Sequence, residues 1–372
     1  MAVPENASLS NLTNLTHHSS IERVMQLGMR LVAVTGIIDT VVGVCLNVFL
    51  LLTVLSSKVL RGDVRNMLIV NVAVADLVVV LLFQPLSVVI ALHGNWSYGC
   101  HLQIVLQLLH FFALNFVSVW GVVCLDALLL ARLCRLDMPL TSFLTSAMTT
   151  SISTCKRRLD RAVVVLVLAL PWVTSVVVIT PIVFAGLHEF TRQIWTEASC
   201  PFILVSWARL ACNILFFFLP CVVACVLLGV SACVLFQRGK GRGIQSITPS
   251  FPPTVTNLST GSLNSAACQD RPSAYVIASV LTFVLIGPRH IFSMLLQYEG
   301  MLTGVSTWLL LSLCLTWLAE TKSTFLPLVW LLALPDLRAR ARHLLTKGKN
   351  VFLRVKGVPR FDPSVSYRNM EA

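Results

Sequence analysis

The sequence predicts an all-α membrane protein, a seven-transmembrane helix bundle with a short amphipathic surface helix after the seventh span. Three observations lead to this fold class. The 372 residues are 56% hydrophobic and 12% charged, with a mean hydropathy of +0.83, which is too apolar for a soluble domain. Apolar runs of spanning length recur along the chain. The basic residues between these runs fall on one side of the predicted membrane.

The predicted bundle covers residues 31–335, and each of its apolar runs is long enough to cross a bilayer as a helix. The seven runs are residues 31–55, 67–92, 102–130, 162–184, 208–236, 273–296 and 306–334. Seven crossings place the two ends of the chain on opposite sides of the membrane. Residues 1–30 then form a tail on one side, and residues 336–372 form a tail on the other.

The distribution of Lys and Arg predicts which side is cytoplasmic. Segments 55–66, 127–161 and 237–272, with the tail after Pro335, hold 22 of the 28 basic residues, and the positive-inside rule makes this face cytoplasmic. The formal net charge of +12 therefore follows from topology, and we expect no nucleic-acid partner. Residues 237–272 are rich in Ser, Thr, Pro and Gly, which is typical of a flexible cytoplasmic loop.

The N-terminal tail is rich in sites for N-glycosylation. Asn6, Asn11 and Asn14 each begin an acceptor sequon, and Asn95 begins another beyond the second span. Their position opposite the basic face predicts an extracellular, glycosylated N-terminus on a plasma-membrane protein.

The segment after the seventh span has the pattern of an amphipathic helix. Residues 336–345 read DLRARARHLL, which places Leu337, Ala341, Leu344 and Leu345 on one helical face and the arginines toward the other. We expect this helix to lie on the inner membrane surface with its arginines near anionic lipid.

Asp76 is the first functional candidate, because it is a lone carboxylate in the apolar stretch of residues 66–90. A charge in the hydrocarbon region is costly, so Asp76 should face the protein interior. The alternative is a neutral, hydrogen-bonded carboxyl that only holds helices together.

Several local motifs resemble those of the rhodopsin-like (class A) G-protein-coupled receptors over about residues 30–355. The most specific is Asn71-Val-Ala-Val-Ala-Asp76, which is close to the second-span pattern of that family. The other matching residues are Asn47, Pro85, Trp172, Phe217, Pro220, Pro288 and Pro327. This resemblance implies a disulfide between Cys100 and Cys200, which the oxidising outside would allow to form.

Three activation motifs depart from the family pattern. The acidic-arginine-tyrosine triplet of the third span aligns best with Asp126-Ala127-Leu128, without the arginine. Leu285 and Ile286 replace a cysteine-tryptophan pair before Pro288, and Trp330 replaces the tyrosine that follows Pro327. The resemblance therefore implies a receptor that meets a heterotrimeric G protein or arrestin on its cytoplasmic face, with altered activation and weak G-protein coupling.

Lys322 stands five residues before Pro327, where the family commonly has an asparagine of its sodium pocket. Three states of Asp76 follow as alternatives: an ion pair with Lys322, a bound sodium ion, or a protonated carboxyl. Asp39 is a competing partner for Lys322.

Two positions of the family pattern limit the possible classes of ligand. Glu320 occupies the place of the retinal-binding lysine, and Gln107 occupies the place of the aspartate that pairs with amines. We therefore expect a peptide or other non-amine extracellular ligand, with Gln107, Arg289, His290 and Glu320 as candidate contacts. The alternative is that Arg289 and Glu320 form a structural ion pair.

Other classes of protein are less well supported. The eight histidines do not converge at metal-ligand spacing, so we expect neither an enzyme nor a bound cofactor or metal. No internal repeat suggests a transporter. A receptor-like protein that scavenges ligand or modulates other receptors without coupling remains an alternative.

The predicted topology can be tested by glycan mapping. We expect some or all of Asn6, Asn11, Asn14 and Asn95 to carry glycans, and Asn257 in the cytoplasmic loop to carry none. An N-terminal epitope that antibodies reach only after the cells are permeabilised would contradict this orientation.

Overall fold

The computed structural model describes residues 6–93, 102, 105–106, 109, 115–134, 165–166, 168–185, 206–245, 271–298 and 305–355. Within these ranges the secondary structure is helical and contains no strand. The helices are α1 (Asn6–Leu55), α2 (Lys58–Arg61), α3 (Val64–Val78), α4 (Gln84–His93), α5 (Asn115–Leu133), α6 (Leu168–Ala185), α7 (Ser206–Asn213), α8 (Leu219–Gln245), α9 (Pro272–Tyr298), α10 (Val305–Glu320), α11 (Lys322–Ala333) and α12 (Pro335–Val355). Wider helical turns at Val79–Phe83 and Ile214–Phe218 join α3 to α4 and α7 to α8.

Six helical segments of the described chain are long and apolar enough to cross a membrane. They are Gln26–Leu55, Val64–Val89, Asn115–Leu133, Leu168–Ala185, Ser206–Gln237 and Pro272–Leu295. Each lies in or overlaps one of the first six apolar runs predicted from the sequence. The chain is therefore a multi-pass, helical membrane protein.

The seventh predicted run differs, because it is not one continuous helix. α10 ends at Glu320 and α11 begins at Lys322, with Thr321 between them, and neither helix alone has the length of a span. The Thr321 hydroxyl donates to the carbonyl of Leu318 at 2.6 Å, a local bond that competes with regular helix.

Other helix boundaries also differ from the sequence prediction. α1 extends back to Asn6, into the predicted tail, where residues 6–27 contain neither Pro nor Gly. α8 continues to Gln245, inside the predicted flexible loop, since the first proline beyond it is Pro249. α12 extends to Val355, ten residues past the predicted end.

The main hydrophobic core joins α1, α3, α5, α9, α11 and α12. Trp330 of α11 is 1% exposed, and its ring packs edge-on against Tyr275 of α9 with 6.0 Å between centroids. Leu337 and Ala341 of α12 belong to this core. Leu345 does not, because it is 61% exposed, so the predicted apolar face of α12 is only partly covered by the bundle.

Two glycines allow close approach between helices. A Cβ on Gly43 of α1 would lie 2.7 Å from the Thr324 hydroxyl of α11, and a Cβ on Gly121 of α5 would lie 2.4 Å from a Val72 methyl of α3. Both distances are shorter than a side chain tolerates. These contacts bring α1, α3, α5 and α11 together around the buried polar residues described next.

Candidate functional site

Asp76 and Lys322 form an ion pair at the centre of the bundle. Asp76 lies on α3 and Lys322 begins α11, and the Lys322 Nζ atom is 3.0 Å from Asp76 Oδ1, with both side chains 1% exposed. Of the three states that the sequence left open for Asp76, the structure contains this ion pair. A buried carboxylate retains its charge when a cation lies beside it.

Two serines complete the surroundings of this pair. Ser118 of α5 accepts a hydrogen bond from Lys322 Nζ at 2.6 Å and donates one to Asp76 Oδ1 at 2.9 Å. The Ser323 hydroxyl donates to the same carboxylate oxygen at 3.1 Å. Hydrogen bonds of this kind offset part of the cost of removing two charges from water. The pair therefore joins three helices, α3, α5 and α11.

Asn47 connects α1 to the same region. Its Nδ2 donates to the Ser323 carbonyl at 2.8 Å and to the Gly43 carbonyl at 2.9 Å. Pro327 lacks the N–H that would bond the Ser323 carbonyl four residues earlier. Asn47 thus supplies the donor that the proline removes.

Asn71 links α3 to α6. Its Oδ1 accepts from the Trp172 indole at 2.9 Å, and its Nδ2 donates to the Leu168 carbonyl at 3.2 Å. Two residues singled out by motif therefore meet across helices.

Asp39 does not act as the partner of Lys322. Its carboxylate accepts a hydrogen bond from Gln84 Nε2, and its backbone carbonyl accepts from Thr324 at 3.3 Å. Asp39 is 9% exposed, on the α1 side of the bundle.

Asp126 faces inward, and its Oδ2 accepts a hydrogen bond from Ser279 of α9 at 2.6 Å. Ala127 is exposed on the other face of α5. Ala127 carries no charge and cannot pair with Asp126, which is bonded by Ser279 instead. The third-span triplet of the family therefore has no structural counterpart at residues 126–128.

The remaining motif positions are apolar contacts in the core. Ile286, in place of the family's tryptophan, packs with Phe217, Val119 and Ala319. Pro220 is buried in α8, and Pro288 lies inside α9.

Of the candidate ligand residues that the structure describes, Arg289 and His290 lie on α9 beside α7 and the turn Ile214–Phe218, and Glu320 ends α10. His290 Nδ1 is 2.7 Å from Asn213 Oδ1, and its ring stacks on Phe217 at 5.4 Å. Glu320 is 4% exposed and interacts electrostatically with Arg289. Glu320 also lines a small cavity with Gln84.

Several predicted residues lie outside the described part of the chain. These are Cys100, Cys200, Asn95 and Gln107, together with the side chains of Asn6, Asn11 and Asn14. Within the described residues, no group of His, Cys, Asp and Glu could hold a metal ion.

The sequence reasoning missed Ser118 and Ser323, although both are polar residues within apolar helices. It also missed a chain of charges near the start of α3, formed by Asp63, Arg65, Arg132 and Asp336. Arg65 and Arg132 gave no signal, because the positive-inside rule already accounts for basic residues at this end of the bundle.

The comparisons with known proteins give short matches. No family model matches the chain. Over 65 residues the chain is 45% identical to an octopamine receptor of Bombyx mori and 43% identical to an octopamine receptor of Heliothis virescens. Each match covers 18% of this chain and 13% of the relative. The chain is therefore similar to receptors over a limited stretch.

The Asp76 and Lys322 pair can be tested by a double-mutant cycle. Lys322→Met leaves a buried carboxylate without its cation, and breaking such a pair costs about 3–5 kcal/mol. Adding Asp76→Asn removes the unpaired charge, so we expect the double variant to regain part of the lost stability. The measurement is the thermal midpoint of the purified chain, together with its surface expression.

Lys347→Met serves as the matched control, because Lys347 is exposed on α12 and its loss should change neither quantity. Losses in the double variant equal to the sum of the single losses would show that the two side chains do not stabilise each other.

Proposed function

We propose that the chain is a plasma-membrane G-protein-coupled receptor of the rhodopsin-like class, for a peptide or other non-amine extracellular ligand, with altered activation motifs and weak G-protein coupling. The observation that carries this proposal is the meeting of motif residues around one carboxylate. Asn47, Asp76 and Lys322 come from different helices and converge on Ser323 or on each other. The short similarity to receptors supports the same class.

In this proposal α10 and α11 together make the seventh crossing. They contain 16 and 12 residues, which at about 1.5 Å per residue span more than the roughly 30 Å hydrocarbon core. The break at Thr321 lies beside the Asp76 and Lys322 pair and is covered by protein, where irregular backbone is tolerated in a membrane.

The weak coupling follows from the replaced activation residues. Lys322 is covalently attached, so its charge cannot leave the site as a bound ion can. Leu326, which stands where the family motif has an asparagine before its proline, is fully buried, and Trp330, in place of the tyrosine, is 1% exposed. A receptor responds through polar groups that exchange partners between two states, and here several of these groups are apolar or fixed.

The proposed ligand class follows from the polar residues at the predicted ligand site. Arg289, His290 and Glu320, with Gln107, offer polar groups of both charges, which suits a peptide with charged or polar side chains. The relatives are receptors named for octopamine, an amine. An amine ligand is therefore the competing candidate, with the Glu320 carboxylate as a partner for its ammonium.

A second candidate function is a non-coupling, receptor-like protein that scavenges ligand or modulates other receptors. The apolar environment of Trp330 and the absence of a triplet arginine at position 127 favour it.

The test is a ligand screen in cells that express the full chain with sensors for G proteins and for arrestin recruitment. A peptide library and an amine panel that contains octopamine are applied at matched surface expression. We expect a peptide to recruit arrestin with a small G-protein response, and Glu320→Gln to weaken its potency at least about tenfold through loss of a buried carboxyl group. Lys347→Gln, at an exposed position of α12, should leave the potency unchanged.

Activation by an amine alone would contradict the peptide proposal. Uptake of a labelled peptide without any sensor response would favour the scavenger instead.

A further inference from the structure

A chain of alternating charges lies at the end of the bundle that the basic residues predict to be cytoplasmic. Arg132 of α5 contacts Asp63, which precedes α3. Asp63 is also 3.5 Å from Arg65 of α3, and Arg65 contacts Asp336 of α12. Two guanidinium groups and two carboxylates therefore alternate, and their formal charges cancel.

Asp63 has two roles among these four charged residues. It caps α3, since its Oδ1 accepts from the Arg65 backbone N–H at 3.1 Å. The same oxygen accepts from Arg132 Nη2 at 2.5 Å. A capping carboxylate is fixed in place by the helix it caps, so Asp63 offers Arg132 a rigid acceptor and not a flexible surface side chain.

Arg65 is the most buried of the four charged residues. Its side chain is 4% exposed, whereas those of Asp63, Arg132 and Asp336 are 20%, 29% and 31% exposed. A buried guanidinium requires neutralisation, and Asp336 in the first turn of α12 supplies it, a position where the helix dipole also favours an acid. Arg65 Nε donates to Asn66 Oδ1 at 3.1 Å, and Asn66 in turn donates to the Leu60 carbonyl at 3.1 Å. The turn between α2 and α3 is thereby joined to the start of α12.

We infer that Asp63 positions Arg132 and thereby ties the inner end of α5 to α3 and α12 in the resting state. This contact replaces the restraint that residues 126–128 cannot make, because Asp126 is bonded by Ser279 and Ala127 carries no charge. Its consequence for signalling rests on the proposed receptor function. Release of Arg132 loosens the inner end of α5 and shifts the chain toward its signalling state.

The first test measures the tie without any signalling readout. Asp63→Asn removes the charge but retains a residue that caps helices well, and Arg132→Gln removes the other partner. Amide hydrogen exchange of the purified full chain in nanodiscs should rise at residues 129–134 by about two- to fivefold in either variant, the effect of a partly exposed ion pair. The double variant should show no further rise.

Arg61→Gln is the matched control, since Arg61 is an exposed arginine on the neighbouring α2 and its loss should leave the exchange unchanged. Unchanged exchange in Asp63→Asn, or additive increases in the double variant, would overturn the inference.

The second test separates this inference from the proposed function. Basal G-protein and arrestin signals are read for Asp63→Asn at matched surface expression, with an expected rise of about two- to fivefold. Faster exchange with no rise in either signal would support the tie and count against coupling. A rise in basal signal with unchanged exchange would show that Asp63 acts by another route and would overturn the tie.

Discussion

Charge neutralisation inside an apolar bundle is the constraint on which the rest of this structure depends. Asp76 and Lys322 are each 1% exposed and lie 3.0 Å apart, and neither charge is tolerable in that environment without the other. Their pairing fixes the distance between α3 and α11. Ser118 adds α5 to the same arrangement, and these helices then bury the larger apolar core around Trp330 and Tyr275.

The break between α10 and α11 is part of the same arrangement. Lys322 is the first residue of α11, so the interruption at Thr321 sets where its long side chain enters the bundle. Pro327 leaves the Ser323 carbonyl without an intrahelical donor, and Asn47 supplies that donor from α1. Gly43 allows α1 to approach closely enough for this bond. Side chains of α1, α3 and α5 therefore contact the seventh segment directly after its interruption.

Much of the fold could be predicted from the sequence, because length and hydropathy alone mark the apolar helices. The inward position of Asp76 could be predicted from the cost of a charge in lipid. Its pairing with Lys322 was one of three alternatives that the family resemblance suggested. The break at Thr321 was not predicted, although five consecutive polar residues, 320–324, interrupt the apolar run at that place. The contact of Arg132 with Asp63 was also not predicted, because it joins residues 69 positions apart in the sequence.

The ion pair requires that Asp76 is ionised and that Lys322 supplies its countercharge. Infrared difference spectroscopy of the purified chain, with Asp76→Asn subtracted from the natural sequence, reads the state of this carboxyl directly. An ionised Asp76 predicts that the variant loses carboxylate stretching bands and no band of a protonated carboxylic acid. Loss of a protonated carboxylic acid band in the variant would show that Asp76 is neutral and would contradict its ion pair with Lys322.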